Sequence, residues 1–223
     1  MKKPYPMLVV MLALQVNGCS CHCFKGCSGP KVVGSGIVQT EQRDVGDFAA
    51  VKCKIGGEIT VTRAEQATLR ITADDNLLPI IKTEVKDGTL IVSAEESYSS
   101  KTRVCLQIEV PMISRVEVLG SADVLLDSVT DEKLEIAIRG SGDIKAIGEV
   151  RSLDVVINGS GDLKLKQLQA QTCNICINGS GDAVLSVAES LDARINGSGD
   201  ITYYGTPHLQ VKMRGSGNIA KGN

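Results

Sequence analysis

The sequence predicts an all-β fold, a solenoid of stacked coils of the parallel β-helix type with 18–20 residues per coil. Three observations predict it. A tetrad of the form Gly-Ser-Gly-Asp recurs in the second half of the chain, and aliphatic residues alternate with polar ones on both sides of it. The composition includes 23 Gly and is 43% hydrophobic but only 3% aromatic. Such a composition is typical of many short strands joined by tight turns.

The tetrads set the length of one coil, because their starts lie 18–20 residues apart. An internal repeat of this period is the signature of a solenoid, in which each unit packs on its neighbours. The six tetrads are Gly120-Ser121-Ala122-Asp123, Gly140-Ser141-Gly142-Asp143, Gly159-Ser160-Gly161-Asp162, Gly179-Ser180-Gly181-Asp182, Gly197-Ser198-Gly199-Asp200 and Gly215-Ser216-Gly217-Asn218.

The residues that flank each tetrad alternate with a period of two. Val155 and Ile157 precede one tetrad, and Leu163 and Leu165 follow it, with polar residues between them. This alternation predicts a strand with one buried face on each side of the turn. A less regular segment such as 166–172 would form the third side of the coil. One coil buries too little apolar surface to offset its ordering entropy, so we expect the coils to stabilise one another.

The turn chemistry suits a sharp corner. Gly at the first and third tetrad positions is expected to allow positive φ. Asn158, Asn178 and Asn196, which directly precede three tetrads, tolerate the same backbone region. The Ser and Asp side chains are expected to accept hydrogen bonds from the turn amides.

The last tetrad position forms an acidic ladder, since stacked coils place its residues about 4.8 Å apart. Unit charges at that spacing repel by about 0.8 kcal/mol even in water. One interpretation is that hydrogen bonds to turn N–H groups, helped by Lys145 and Lys164, offset the repulsion. The alternative is a calcium ladder, because hard cations prefer carboxylate ligands. The ladder residues are Asp123, Asp143, Asp162, Asp182, Asp200 and Asn218.

Residues 37–115 resemble a degenerate beginning of the same solenoid. Ile55-Gly56-Gly57-Glu58 stands where a tetrad is expected, with alternating aliphatic residues on either side. The separation between Ile55 and Gly120 predicts about three coils in this half. An atypical terminal region is what a solenoid needs to cap its open apolar end.

The first residues predict export and lipidation. Lys2 and Lys3 precede a short apolar run, which is too short to span a bilayer and indicates a signal peptide over residues 1–18. Val16-Asn17-Gly18-Cys19 resembles a bacterial lipobox, so Cys19 is the predicted lipidation site and the anchor to a membrane. Ser20 favours the outer membrane, by resemblance to Gram-negative lipoproteins.

A cysteine-rich segment follows the predicted cleavage site, and we interpret residues 19–32 as a lipidated tether. Cys21, Cys23 and Cys27 surround His22, but the paired C-x2-C spacing of structural zinc sites is absent. We therefore predict no metal here; free thiols or local disulfides are the simpler interpretation outside the cytoplasm.

The sequence predicts neither an enzyme nor a cofactor site. Its net charge of −2 gives no indication of nucleic-acid binding. His22 and His208 are the only imidazoles, and no phosphate loop, dinucleotide fingerprint or Gly-x-Ser-x-Gly elbow is present. A polysaccharide-cleaving β-helix is the remote alternative, but such a site needs residues outside the repeat pattern, whereas here the acids belong to it.

Several motifs together resemble the family of putative auto-transporter adhesins with a head GIN domain. The resemblance covers about residues 33–220, within a single predicted domain over residues 33–223. It implies a right-handed β-helix, related in shape to pectin lyases, with a role in cell adhesion and no catalytic set. We expect a protein or glycan partner, for example on a ladder face with Lys145, Lys164 and Thr202, and we expect that the C-terminal end can support a homo-oligomer. The motifs are Val33-Gly34-Ser35-Gly36, Val45-Gly46-Asp47-Phe48-Ala49-Ala50-Val51, Ala73-Asp74-Asp75-Asn76-Leu77-Leu78, Thr83-Glu84-Val85-Lys86-Asp87-Gly88-Thr89-Leu90 and the tetrad series.

Overall fold

The computed structural model of the protein describes residues 31–223, and the regular structure in this range is entirely β. The described range contains no helix that could cross a membrane. The strands are β1 (Val32–Val33), β2 (Val38–Arg43), β3 (Ala50–Cys53), β4 (Gly57–Arg63), β5 (Thr68–Asp74), β6 (Ile81–Lys86), β7 (Thr89–Ala94), β8 (Tyr98–Ser99), β9 (Cys105–Val110), β10 (Arg115–Val118), β11 (Ala122–Ile138), β12 (Ile144–Gly159), β13 (Leu163–Gly179), β14 (Ala183–Gly197), β15 (Ile201–Tyr204), β16 (His208–Gly215) and β17 (Ile219–Lys221).

Stacked parallel strands form a β-solenoid of about five turns, which confirms the predicted fold class. Each of β12 to β14 begins directly after one tetrad and ends at the first glycine of the next, and β11 runs from Ala122 of the first tetrad to Ile138, so each strand supplies a complete coil. Two ladders run along the molecule. The pre-turn ladder has the order β6-β7-β3-β10, followed by the C-terminal halves of β11 to β14 and by β16. The post-turn ladder has the order β2-β5-β9-β4, followed by the N-terminal halves of β11 to β14, β15 and β17.

The register places equivalent residues of successive repeats side by side. Val155 pairs with Ile136 on one side and with Ile175 on the other, and all three are buried. The third side of each coil is also strand, continuous with the other two and interrupted by register shifts such as the one between Leu165 and Gln169. The predicted alternation therefore holds, and the third side of the coil, which the sequence pattern left irregular, also forms strand.

The first half of the chain differs from the prediction of three coils. Gly57 pairs with Ala122 and Glu58 with Asp123, so the degenerate tetrad occupies the expected corner, but its coil lies directly beside the first tetrad coil. Residues 64–114 pass to the other side of that coil, where β7 and β9 pair with β3 and β4. The spacing of strands along the sequence cannot reveal this arrangement. The segment reverses direction and forms antiparallel pairs instead of continuing the spiral.

Antiparallel strands close the N-terminal end of the solenoid. β5 pairs with β9, and β2 pairs with β5. Glu41 lies opposite the buried Ile71 and Arg43 lies opposite the buried Leu69. Directly opposed residues share a face, so polar side chains cover the apolar layer at this end. The Arg43 guanidinium also donates to the carbonyls of Ile81 at 2.6 Å and Leu78 at 2.8 Å. Inward-pointing charge on an edge strand is a known way to prevent edge-to-edge association.

The C-terminal end lacks such a layer within the described chain. A single hydrophobic core runs through the molecule as far as Ile201. In the last coil the inward row is exposed: Leu209 is 36%, Val211 42% and Met213 45% accessible. The equivalent residues of the preceding coil are almost fully buried. The two ends of the solenoid therefore differ in kind, one polar and covered and the other apolar and open.

Candidate functional site

The acidic ladder forms at the predicted corner, and its carboxylates accept hydrogen bonds from the backbone of the next coil. The N–H of Asp162 donates to Asp143 Oδ1 at 2.9 Å, and the N–H of Asp182 donates to Asp162 Oδ1 at 3.0 Å. The same contact recurs from Asp123 to Asn218, with distances of 2.7–3.3 Å. Each carboxylate thus stabilises the turn above it, as the structural interpretation of the ladder predicted.

Lys164 also supports the ladder. Its ammonium lies 2.6 Å from Asp143 Oδ2. Partial burial alone would raise the pKa of Asp143, but Lys164 and the N–H of Asp162 together hold that pKa below its ordinary value. The hydrogen bond from the ammonium to Asp143 correspondingly raises the pKa of Lys164. Lys145, the second expected helper, forms no ion pair with a described residue.

The two glycines of each tetrad have different roles, which corrects the expectation of positive φ at both. From the second tetrad onwards the first glycine has positive φ, as at Gly179 (147°) and Gly197 (150°), whereas Gly120 does not. The third-position glycines do not. A Cβ on Gly161 would instead lie 2.1 Å from the carbonyl oxygen of Gly142 in the neighbouring coil. Close stacking of backbones, and not turn conformation, therefore requires glycine there.

The asparagines that precede three tetrads form a second ladder, which sequence reasoning missed. Asn178 Nδ2 donates to Asn158 Oδ1 at 2.8 Å, and Asn196 Nδ2 donates to Asn178 Oδ1 at 2.8 Å. None of the three has positive φ, so the expected turn role is wrong. Identical amides at the repeat spacing are the sequence signal that could have indicated this ladder.

The corner offers one carboxylate per coil and no cluster of ligands. Among residues 31–223, no group of three His, Cys, Asp or Glu side chains is placed to hold a metal ion. Calcium usually takes 6–8 oxygen ligands. The Oδ1 atoms from Asp123 to Asp200 already accept backbone hydrogen bonds, so a cation would have to compete with the turn.

The proposed ladder face exists as a column on the post-turn ladder. Lys145 pairs with Lys164, and Thr202 lies two coils further on, with Val184 between them. The column is exposed or half-exposed. It presents cationic, apolar and hydroxyl groups in a row at the strand spacing.

A clasp near the N-terminal end holds Asp74, from one of the sequence motifs, against residues 100–102. The buried Asp74 carboxylate accepts hydrogen bonds from Thr102 Oγ1 at 2.7 Å and the Lys101 N–H at 2.9 Å. The bond from Thr102, with those from Lys101 and Ser100, outweighs desolvation and lowers the pKa of Asp74.

The neighbours of Asp74 hold the N-terminal segment. Asn76 Nδ2 donates to the Val33 carbonyl at 2.9 Å, and its Oδ1 accepts the Ser35 N–H at 2.9 Å. The Asp-Asp-Asn and Val-Gly-Ser-Gly motifs therefore fix the point at which the chain enters the solenoid.

The predicted lipidation site and tether cysteines lie outside the described residues, as do the signal peptide and His22. Within the described range Cys53, Cys105, Cys173 and Cys176 are free thiols. Burial raises the pKa of Cys53 to about 11 and that of Cys173 to about 12, so these two thiols stay protonated and unreactive.

Comparisons with known proteins agree with this architecture. A family model described as "Putative auto-transporter adhesin, head GIN domain" matches residues 47–207. No curated protein matches the chain. Among solved structures, a putative adhesin from Bacteroides fragilis is 24% identical with a TM-score of 0.72, covering 85% of this chain and 99% of its own. A putative lipid binding protein from Parabacteroides distasonis is 22% identical with a TM-score of 0.56, covering 87% and 100%. A putative adhesin from the same organism is 21% identical with a TM-score of 0.53, covering 86% and 100%. At these identities the structures establish the fold.

Proposed function

Because the chain belongs to the head GIN domain family, we propose that it is a non-catalytic cell-envelope lipoprotein whose β-solenoid binds a surface partner, as in adhesion. The observation that carries the proposal is the repetition of side chains on flat sheet faces. The Asn ladder repeats one chemical group at the strand spacing, and the column with Lys145, Lys164 and Thr202 sets two cations side by side. A repeating array suits a protein or glycan partner that is held by many weak contacts.

Anchorage follows from the sequence. We propose that residues 1–18 are removed, that Cys19 is acylated and that residues 19–32 tether the solenoid to the outer membrane. The hydrogen bonds of Asn76 with Val33 and Ser35 lie at the covered N-terminal end, so the tether would enter there. The open C-terminal coil would then point away from the membrane, towards partners.

Anchorage is tested by metabolic labelling with a palmitate analogue. Wild type should carry the label and fractionate with outer membranes, whereas Cys19→Ala should lose both. Cys23→Ala is the matched control and should keep both. A labelled Cys19→Ala variant would contradict the lipidation proposal.

Binding is tested with beads that carry the full chain, applied to glycan arrays and to epithelial cells. Lys145→Glu combined with Thr202→Glu should reduce retention, because it places negative charge in the exposed column. Lys86→Glu combined with Gln42→Glu, an equal charge change on exposed residues of β6 and β2, is the control. Equal retention of all three would rule out this face, and turnover of a polysaccharide would contradict the non-catalytic proposal.

A calcium-dependent binding module is the second candidate. It is favoured by the outer carboxylate oxygens of Asp123, Asp162, Asp182 and Asp200, which accept no hydrogen bond from the described residues. Thermal unfolding with millimolar calcium and with chelator separates the candidates. The leading proposal predicts equal melting temperatures, because the Oδ1 atoms are already occupied. A rise of several degrees with calcium, abolished by Asp162→Asn and Asp182→Asn together, would establish the second candidate.

A further inference from the structure

Three features of the last coil have no partner in the described chain: its apolar inward row, one edge of β16 and its outward cations. Its apolar inward row, Leu209, Val211 and Met213, is exposed. β16 pairs with β14 on one edge and with no described strand on the other. Its outward cations, Lys212 and Arg214, form no ion pair with any described acid, whereas six cations on or beside the inner strands of the same ladder are paired. These six are Lys52, Arg115, Lys133, Arg139, Arg151 and Arg194.

An inner coil of the same ladder shows how outward cations are paired with an acid. Glu117 lies in the same column of the pre-turn ladder as Lys52 and, five coils later, Lys212. Its carboxylate lies 2.9 Å from Lys52 and 2.9 Å from Arg139, and its side chain is only 7% exposed. One acid between aliphatic residues thus holds two cations from neighbouring coils.

The opposite end of the solenoid does not supply a matching strand. The edge strand of the pre-turn ladder at that end is β6, and Arg43 of β2 lies over it, donating to the Ile81 carbonyl and to Thr83 Oγ1. Stacking this end on the last coil would therefore bury the Arg43 guanidinium against Leu209 and Val211. Two copies joined through their last coils would instead bring together ends that carry cations and no acid between Ile201 and Asn223. Both forms of self-association are disfavoured.

We propose that the C-terminal coil binds an extended segment of a partner protein, which adds to the free edge of β16 as the next strand. Aliphatic residues at alternate positions of that segment cover Leu209, Val211 and Met213. An acidic residue between them faces Lys212 and Arg214 as Glu117 faces Lys52 and Arg139. Strand addition of this kind gains affinity from main-chain hydrogen bonds and specificity from alternate side chains. The inference deepens the proposed binding function and rests on it.

The test uses the full chain in mild detergent and a fluorescent synthetic nonapeptide that alternates Ile with Ser and has one central Glu. Fluorescence anisotropy should show saturable binding. Lys212→Glu with Arg214→Glu should weaken it about tenfold or more, as loss of a desolvated charge pair does. A peptide with Lys in place of Glu should restore binding to this double variant. Val211→Asp should abolish binding, and Lys86→Glu should leave it unchanged.

The fold of each variant is checked by circular dichroism, and because β16 is exposed along its length these changes should leave the inner coils folded. Absence of saturable peptide binding, or equal affinity for all variants, would overturn the inference. A wild-type dimer that Val211→Asp dissociates, without peptide binding, would overturn it in favour of a second copy. Cell adhesion that persists in a Val211→Asp variant unable to bind peptide would refute the C-terminal coil as the adhesive surface and leave the proposed function standing. Peptide binding by a protein that mediates no adhesion would refute the proposed function and leave the peptide site standing.

Discussion

At the scale of single residues, the corners are governed by distances between backbones of neighbouring coils. The third tetrad glycine has ordinary φ, so an isolated turn would accept alanine there. In the stack, the added methyl of Gly161→Ala would meet the Gly142 carbonyl oxygen. We expect a loss of about 1–3 kcal/mol in the free energy of unfolding, the usual cost of overpacking, measured by denaturant titration. Gly46→Ala, which adds a methyl with no atom within 4 Å, should change stability little, and a similar loss in both variants would contradict the stacking argument.

The Asp74 clasp makes stability depend on pH. Its hydrogen bonds hold the folded-state pKa below the ordinary value of 3.8. As pH falls, the unfolded chain therefore takes up the proton first. The contribution of Asp74 is fully present above the unfolded pKa and is lost as pH falls through the folded pKa. Between pH 5 and pH 3 the denaturation midpoint of wild type should fall further than that of Asp74→Asn. Asp47→Asn controls for the change in net charge, and equal falls in wild type and Asp74→Asn would exclude this role.

At the scale of elements, the acidic ladder acts through one oxygen of each side chain. Asp162→Asn keeps an acceptor for the Asp182 N–H and removes like-charge repulsion, so stability should be unchanged or slightly higher. Asp162→Ala removes the acceptor and should cost about 1 kcal/mol. Asn218, which ends the ladder and donates its N–H to Asp200, shows that an amide fits this corner. Denaturant titration of the two variants decides the matter, and equal destabilisation by both would mean that the charge itself is required.

The same elements show what sequence can and cannot predict. Alternation around each tetrad predicted the buried rows and the corners correctly, because period-two patterns report directly which face is buried. The three expected coils between Ile55 and Gly120 were wrong, because a reversal to antiparallel pairing leaves the alternation unchanged. The Asp74 clasp joins residues 26–28 positions apart, and a non-repeated contact has no periodic signal. The Asn ladder was visible as identical residues but was assigned to backbone conformation.

At the scale of the whole molecule, in-register stacking makes the coils interchangeable. Deleting residues 160–179 removes one repeat, equal to the offset of 20 residues between Asn158 and Asn178, and brings Gly159 next to Ser180 in the same register. The shortened protein should stay folded and be shorter by about 4.8 Å along its axis, as measured by X-ray scattering and circular dichroism. Deleting residues 160–169 instead misplaces every later row and should abolish folding of the C-terminal coils. If the two deletions behaved alike, the coils would not be independent units.

The closed N-terminal end has a consequence for biogenesis. Strands β1 to β9 pair only among themselves, apart from the pairings of β3 with β10 and of β4 with β11. If the chain is exported as proposed, with its N-terminus first, strands β1 to β9 can pair into a cap before the first tetrad leaves the translocation pore. Each later repeat can then pair with the exposed strand edge of the coil before it. The solenoid therefore folds from its N-terminal end to its C-terminal end, and the unpaired edge always lies on the coil that has folded last.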